Sequence, residues 1–224
     1  MSAPEAVIFD LDGVLLDSEQ VWNKAKEALV REAGGTWREE APEVMMGMSS
    51  PEWSAYLKDD LGVPLALDAI NRDVVRRMED GYREGLPLLP GAGHAVRALA
   101  ARWPLGLASS SNRELIDLFL ELADFGDAFR ATVSSEEVAR GKPSPDVYVR
   151  TAEKLGVDPA RAVAIEDSSN GIRAGAAAGM PVIAVPNPHY PPATDALELA
   201  AVTVGGVSEV TPELVEAAAR GAPR

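Results

Sequence analysis

The chain has no cysteine among its 224 residues, which excludes disulfides and thiolate metal centres. It is short of positive charge, with 21 Lys and Arg against 35 Asp and Glu and a formal net charge of -14. Nucleic acids and anionic membranes reward clustered Lys and Arg, so neither is an expected partner. The acidity reads as a solvated surface, and an anionic substrate would need a locally positive site, such as a bound metal ion provides. No apolar run approaches the roughly 20 residues of a membrane helix. Met1-Ser2-Ala3-Pro4-Glu5 runs straight into an apolar segment without a basic flank or an h-region, so nothing there reads as a signal peptide and a cytoplasmic location is expected. Histidine is scarce too: His94 and His189 stand alone and carry no pattern.

What remains is an ordinary globular composition, 46% hydrophobic and 25% charged, long enough for one large domain or a core with an insertion. Ala6 to Phe9 is too short for a helix and reads as a buried strand ending in an Asp-Leu-Asp-Gly turn. From Ser18 the period becomes helical: Val21, Trp22, Ala25, Ala28 and Leu29 recur at three and four, and Gly34-Gly35 ends the run. Ser50-Pro51-Glu52 reads as an N-cap and first-turn proline for a second helix, and a third covers Asp68 to Glu84. After Pro90-Gly91 helices alternate with strands at Leu105 to Ala108, Ala131 to Val133, Val163 to Ile165 and Val182 to Val185, with a weak last strand at Val202 to Val204. That rhythm predicts an α/β fold: a doubly wound parallel-sheet, Rossmann-like core of residues 1–17 and 88–224, with an all-helical cap domain, residues 18–87, inserted after the first strand.

The chemistry gathers at the strand ends, where open parallel sheets place their ligands. Asp10 and Asp12, at i and i+2, face the same side in extended geometry, and Gly13 lets the chain turn. One carboxylate can attack phosphorus while its neighbour moves protons. Glu166-Asp167 ends another strand; these acids beside Asp10 repel unless a cation sits among them, and hard oxygen ligands favour Mg²⁺ over zinc. Ser109 and Ser110 lead into a helix whose N-terminus and hydroxyls can face an anion. Lys142 precedes Pro143-Ser144-Pro145, in which Ser144 reads as a helix cap. Met45, Met46, Met48, Trp22 and Trp53 read as packing residues of the insertion, except where they face the crevice.

With these clusters in this order, Asp10-Leu11-Asp12-Gly13-Val14, Ala108-Ser109-Ser110-Ser111, Gly141-Lys142-Pro143-Ser144-Pro145 and Ile165-Glu166-Asp167-Ser168-Ser169-Asn170-Gly171, the chain resembles the haloacid dehalogenase superfamily over essentially its whole length. The likeness is to the phosphatase and β-phosphoglucomutase branch with a helical cap. The resemblance implies that Asp10 is the nucleophile and a Mg²⁺ ligand, and Asp12 the general acid and base and a ligand through its carbonyl. It implies Asp167 as a further ligand, Glu166 as support for the metal or its waters, and Ser109, Ser110 and Lys142 as phosphoryl holders. Asp12 argues against the dehalogenase and phosphonate-cleaving members, which lack the second Asp.

The expected function is hydrolysis of a small phosphorylated metabolite through an aspartyl phosphate. The alternatives are a β-phosphoglucomutase-like transfer and a non-catalytic scaffold. Substrate choice is expected from the cap, at Trp22, Gly47 and Ser50. Aligned on Asp10 and Asp12, the cap histidine of the mutases falls at Trp22 and their cap arginine near Ser50; Arg31, Arg38 and Lys58 are other cap cations that could take that place. The expected partner is a small-molecule phosphate ester, and the expected state a monomer or weak homodimer.

Overall fold

The computed structural model describes residues 3–46 and 48–221. Among them six strands, β1 (Ala6–Phe9), β2 (Leu105–Ser109), β3 (Phe129–Ser134), β4 (Ala162–Glu166), β5 (Val182–Ala184) and β6 (Val202–Thr203), form one sheet in the order β3-β2-β1-β4-β5-β6. Every pairing is parallel. The chain winds outward from β1 in both directions, so the strand order reverses beside β1 and leaves a crevice at the carboxyl ends of β1 and β4.

Both faces of the sheet are covered, which is why the strands read as continuous apolar runs rather than alternating ones. Val7 and Phe9 point into one core with Leu107 and Ile165, while Ala6 and Ile8 point into the other with Ala164 and Val182. The first core is closed by α5 (Ala92–Ala100), α6 (Arg113–Leu122) and α10 (Pro212–Gly221), and the second by α7 (Asp146–Leu155) and α8 (Ser169–Ala177). A single-turn α9 (Thr194–Leu197) lies between β5 and β6.

Between β1 and α5 the elements among the described residues are helices: α1 (Glu19–Glu32), α2 (Ala41–Val44), α3 (Ser50–Asp59) and α4 (Leu67–Glu84). The two segments that join this block to the sheet run side by side. Asp17 N donates to Pro87 O at 2.8 Å, Leu89 N to Leu15 O at 2.9 Å, and Leu16 bridges Leu88 in antiparallel fashion.

Two capping expectations change. Helix α3 is capped by Ser49, not Ser50, because Glu52 lies three residues beyond Ser49 and completes a capping box: the Ser49 N–H donates to Glu52 Oε2 at 2.8 Å. Ser144 does not cap α7. Its hydroxyl donates instead to Asp146 Oδ1 at 2.6 Å, and Pro145 occupies the cap position. Helix α10, opened by Thr211-Pro212-Glu213, went unread in the sequence.

Phe119 on α6 is fully buried and meets the edge of Phe125 at 5.9 Å, whereas Leu122 on the same helix is 39% exposed. Phe119→Ala should therefore cost about 3–5 kcal/mol through the cavity it leaves, and Leu122→Ala under about 0.5 kcal/mol. Urea midpoints at constant slope test the contrast; equal losses would contradict the packing described.

Candidate active site

Asp10 follows β1 directly, its N–H held by Ile165 O at 3.0 Å, and the turn after it needs Gly13 at φ +81°. A Cβ on Gly13 would lie 1.9 Å from Asp167 Oδ2, so the missing side chain is what lets the Asp167 carboxylate sit against Asp10. Gly171 does the same for Glu166: a Cβ there would fall 1.8 Å from its carboxyl. One oxygen each of Asp10, Glu166 and Asp167 lie within 4.8 Å of one another, all three residues buried.

Lys142 joins them. Its Nζ donates to Asp10 Oδ1 at 2.6 Å, Glu166 Oε1 at 2.6 Å and Ala108 O at 3.1 Å. Glu166 accepts further from the Tyr148 hydroxyl at 2.8 Å, the Asp167 N–H at 3.1 Å and the Ser168 hydroxyl at 3.2 Å. Its oxygens are thus largely engaged in holding Lys142 and the start of α8, which leaves Asp10 and Asp167 as the better placed of the three to ligate a cation.

The electrostatics follow from burial. It pushes the Asp10 carboxyl up to about 8; Lys142 pulls the other way, and Glu166 and Asp12 push it further up. Burial, with Glu166 and Asp10 close by, lifts Asp167 well above the carboxylate range. For Lys142 burial works against the charge, but Asp10 and Glu166 outweigh it and raise its pKa above the ordinary lysine value. Crowded acids left with one ammonium are what a small hard cation relieves, so the residues present fit Mg²⁺.

Asp12 is held differently. One carboxylate oxygen accepts from the Ser18 hydroxyl and, at 3.2 Å, from Trp22 Nε1; the other accepts from the Ser111 hydroxyl. Three donors from two directions thus hold its carboxylate.

The cavity over these groups is about 60 Å³, room for a few waters. Asp10, Asp12, Lys142, Asp167, Ser110 and Trp22 line it, and Met45, Met46, Met48 and Trp53 face it as well. Ser109 does not reach its wall: it is fully buried beneath, accepting the Ser111 N–H at 3.0 Å. Ser50 also lies elsewhere, donating to Asn112 Oδ1 at 2.9 Å where α3 meets the start of α6, because the helix start at Ser49 turns it toward that contact. Gly47 lies outside the described residues.

Sequence reasoning missed Glu19 and Lys26, which line the cavity from α1, and Tyr148 and Ser111. The signal for the first two was present: Glu19, Trp22 and Lys26 at i, i+3 and i+7 share a helix face. Of the alternative cap cations, Arg31 pairs with Glu27 at 2.6 Å, Arg38 donates to Asp60 O at 2.9 Å, and Lys58 is exposed.

The chain belongs to the haloacid dehalogenase-like hydrolase family, whose model matches residues 4–179. It is 37% identical over 198 residues to hexitol phosphatase B of Escherichia coli strain K12, covering 84% of this chain and 88% of that one. It is 33% identical over 238 residues to the plasmid protein CbbY of Cupriavidus necator, covering 96% and 91%. Among solved structures it is similar to CbbY of Rhodobacter sphaeroides in complex with phosphate, with a TM-score of 0.80 and 29% identity over 92% of this chain and 96% of that one. The β-phosphoglucomutase of Clostridium difficile superimposes with a TM-score of 0.83 over 98% of both chains, but at 22% identity it speaks for the fold alone.

If the acid cluster holds a cation, Mg²⁺ at a hundredfold excess over its Kd should raise the melting temperature by roughly 5–10 °C. Asp167→Asn, which removes one of the crowded carboxyls, should melt higher than the native chain in chelator and gain nothing from Mg²⁺. Calorimetric scans with and without the ion decide it; an unchanged response in the variant would sink the site.

Proposed function

We propose that this protein is a Mg²⁺-dependent phosphatase acting on a small phosphorylated metabolite of the sugar phosphate type, through a phosphorylated Asp10. The observation that carries the reading is the buried group of Asp10, Asp167, Glu166 and Lys142 at the ends of β1 and β4, with Asp12 two residues from Asp10. The hexitol phosphatase relative supports the substrate class.

Asp10 attacks the phosphoryl group in line, and Lys142, with a hydroxyl proton from Ser110, holds the equatorial oxygens. Asp12 gives its proton to the leaving oxygen, then takes one from the water that attacks the aspartyl phosphate. Asp10, Asp167 and the Asp12 carbonyl would hold Mg²⁺, which neutralises charge on the transferring group. Glu166 and Tyr148 keep Lys142 in place.

The mutase reading is the second one, and the resemblance to β-phosphoglucomutases keeps it in view. A mutase retains a bisphosphate, which needs a cation for the distal phosphate and an active site that discourages water. Trp22 and Ser50, at the positions of the mutase cap cations, supply none, and Lys26, the ammonium that lines the cavity from α1, has the carboxyl of Glu19 on the same wall.

Asp10→Asn should reduce phosphate release below about a thousandth of the native rate, and Asp12→Asn by about 10²–10⁴-fold, with release absent in chelator. Turnover by Asp10→Asn at the native rate would refute the nucleophile. For the mutase, incubation with β-glucose 1-phosphate and a trace of the 1,6-bisphosphate is decisive: free phosphate is the expected product, and rapid glucose 6-phosphate without it would show a transferase.

Residues 18–87 act in this reading as a cap that opens to admit substrate and closes to exclude bulk water. The small cavity, the paired connections at Leu16 and Leu88, and the contacts Ser50–Asn112 and Asn23–Tyr190, the latter at 3.3 Å, support it. Because the chain has no cysteine, a Ser50→Cys, Asn112→Cys pair can be oxidised cleanly. The oxidised form should turn over at least about tenfold more slowly than the same variant reduced; equal rates would mean that opening is not needed.

A further inference from the structure

Lys26 is the feature that the proposed chemistry does not use. It lies on α1 with 6% of its surface exposed, yet it forms no ion pair among the described residues. Its ammonium sits 5.0 Å from the Trp22 ring centroid and 5.3 Å from that of Trp53, and it lines the same cavity as Asp10 and Asp12. A buried ammonium needs oxygen acceptors, and two indole faces compensate only part of its lost hydration.

Glu19, one helical face along, lines the cavity beside it. The two act on each other electrostatically: Lys26 holds Glu19 down against the burial that lifts it to about 7, and Glu19 holds Lys26 up against the burial that lowers it to about 8. They are nevertheless not in ion-pair contact. A donor and an acceptor of opposite charge, close but apart, leave a gap that a hydroxyl group fills by accepting from one and donating to the other.

We propose that Lys26 and Glu19 are the specificity-determining pair of this site, reading the hydroxyl groups of a polyol or sugar phosphate whose phosphoryl end lies on Asp10. The proposal rests on the phosphatase reading and deepens it. A second anionic end, carboxylate or phosphate, fits less well. It would meet the charges of Glu19 and Asp12 together with that of Lys26, so the region offers no net positive charge. The walls of Trp22 and Trp53 suit the C–H faces of a carbon chain.

The test compares kcat/KM, with Mg²⁺ present, for glucitol 6-phosphate, for hexyl phosphate, which has the same chain length without hydroxyls, and for phosphoglycolate, which ends in a carboxylate. The native protein should prefer glucitol 6-phosphate over both by roughly tenfold or more. Lys26→Met should collapse the preference over hexyl phosphate by at least tenfold, mainly through KM, and Lys26→Gln, which keeps a donor, should restore part of it. A native preference for phosphoglycolate, or a Lys26→Met ratio within twofold of native, would overturn the assignment while leaving the phosphatase intact. No release of phosphate from any of the three esters would instead overturn the phosphatase reading itself, and this inference with it. The native-protein comparison stands even if a variant does not fold.

Discussion

The ion pair of Lys142 with Asp10 and Glu166 is the constraint on which the rest of this structure turns. All three groups are buried, and an unpaired charge at such a position costs several kcal/mol. The fold meets that cost with distances of 2.6 Å on both sides and a third acceptor, Ala108 O, from the neighbouring strand. The partners come from β1, β4 and the loop before α7, so the pairing ties together the elements that bound the crevice. Glycine enters the same account. Without Gly13 and Gly171 the Asp167 and Glu166 carboxyls would have no room, so two positions without side chains are as much part of the acid cluster as the acids are.

Asp12 links this buried centre to the helical block. Its three donors come from two directions: Ser111 from the loop after β2, and Ser18 and Trp22 from the start of the first helix. The carboxylate assigned to proton transfer is therefore oriented partly by residues that belong to the helices. If those helices lift away as a cap, Asp12 would lose two of its three donors, and closure and alignment of the acid would be one event. Asn112 plays a comparable part on the other side, bonded to Ser50, to Asn71 at 3.2 Å and to Glu136 at 2.7 Å.

The sheet and the core motifs were legible because their signals are local. A four-residue apolar run ended by Asp, or a strand followed by Glu-Asp, states both its burial and its chemistry within six residues. The strand bounds at Ala6–Phe9 and Val182–Ala184 moved by at most one residue for that reason. Ser144 and Ser50 misled because a serine beside a proline is a good cap signal but a nearby carboxylate competes for it; Asp146 won one hydroxyl, and Glu52 moved the other cap to Ser49. Lys26 and Glu19 were hidden for a different reason. On an isolated helix a Lys and a Glu seven residues apart read as solvated surface, and only the placement of α1 beside the cavity turns that face inward. Tyr148 was hidden likewise, an aromatic on a core face whose hydroxyl finds Glu166 only after the fold has formed.

The sign of the charge in the cavity sets an order of events. Four carboxyl groups, those of Asp10, Asp12, Glu19 and Asp167, face two ammonium groups, Lys26 and Lys142, in a chain of net charge -14. A phosphoryl dianion approaching that arrangement alone would be repelled, and Lys142 cannot turn to meet it without giving up Asp10 or Glu166. A divalent cation would offset that acidity. Asp10 could then be stabilised without Lys142, whose proton donors would be left for the ester. On the reading proposed here the cation therefore binds before the ester does.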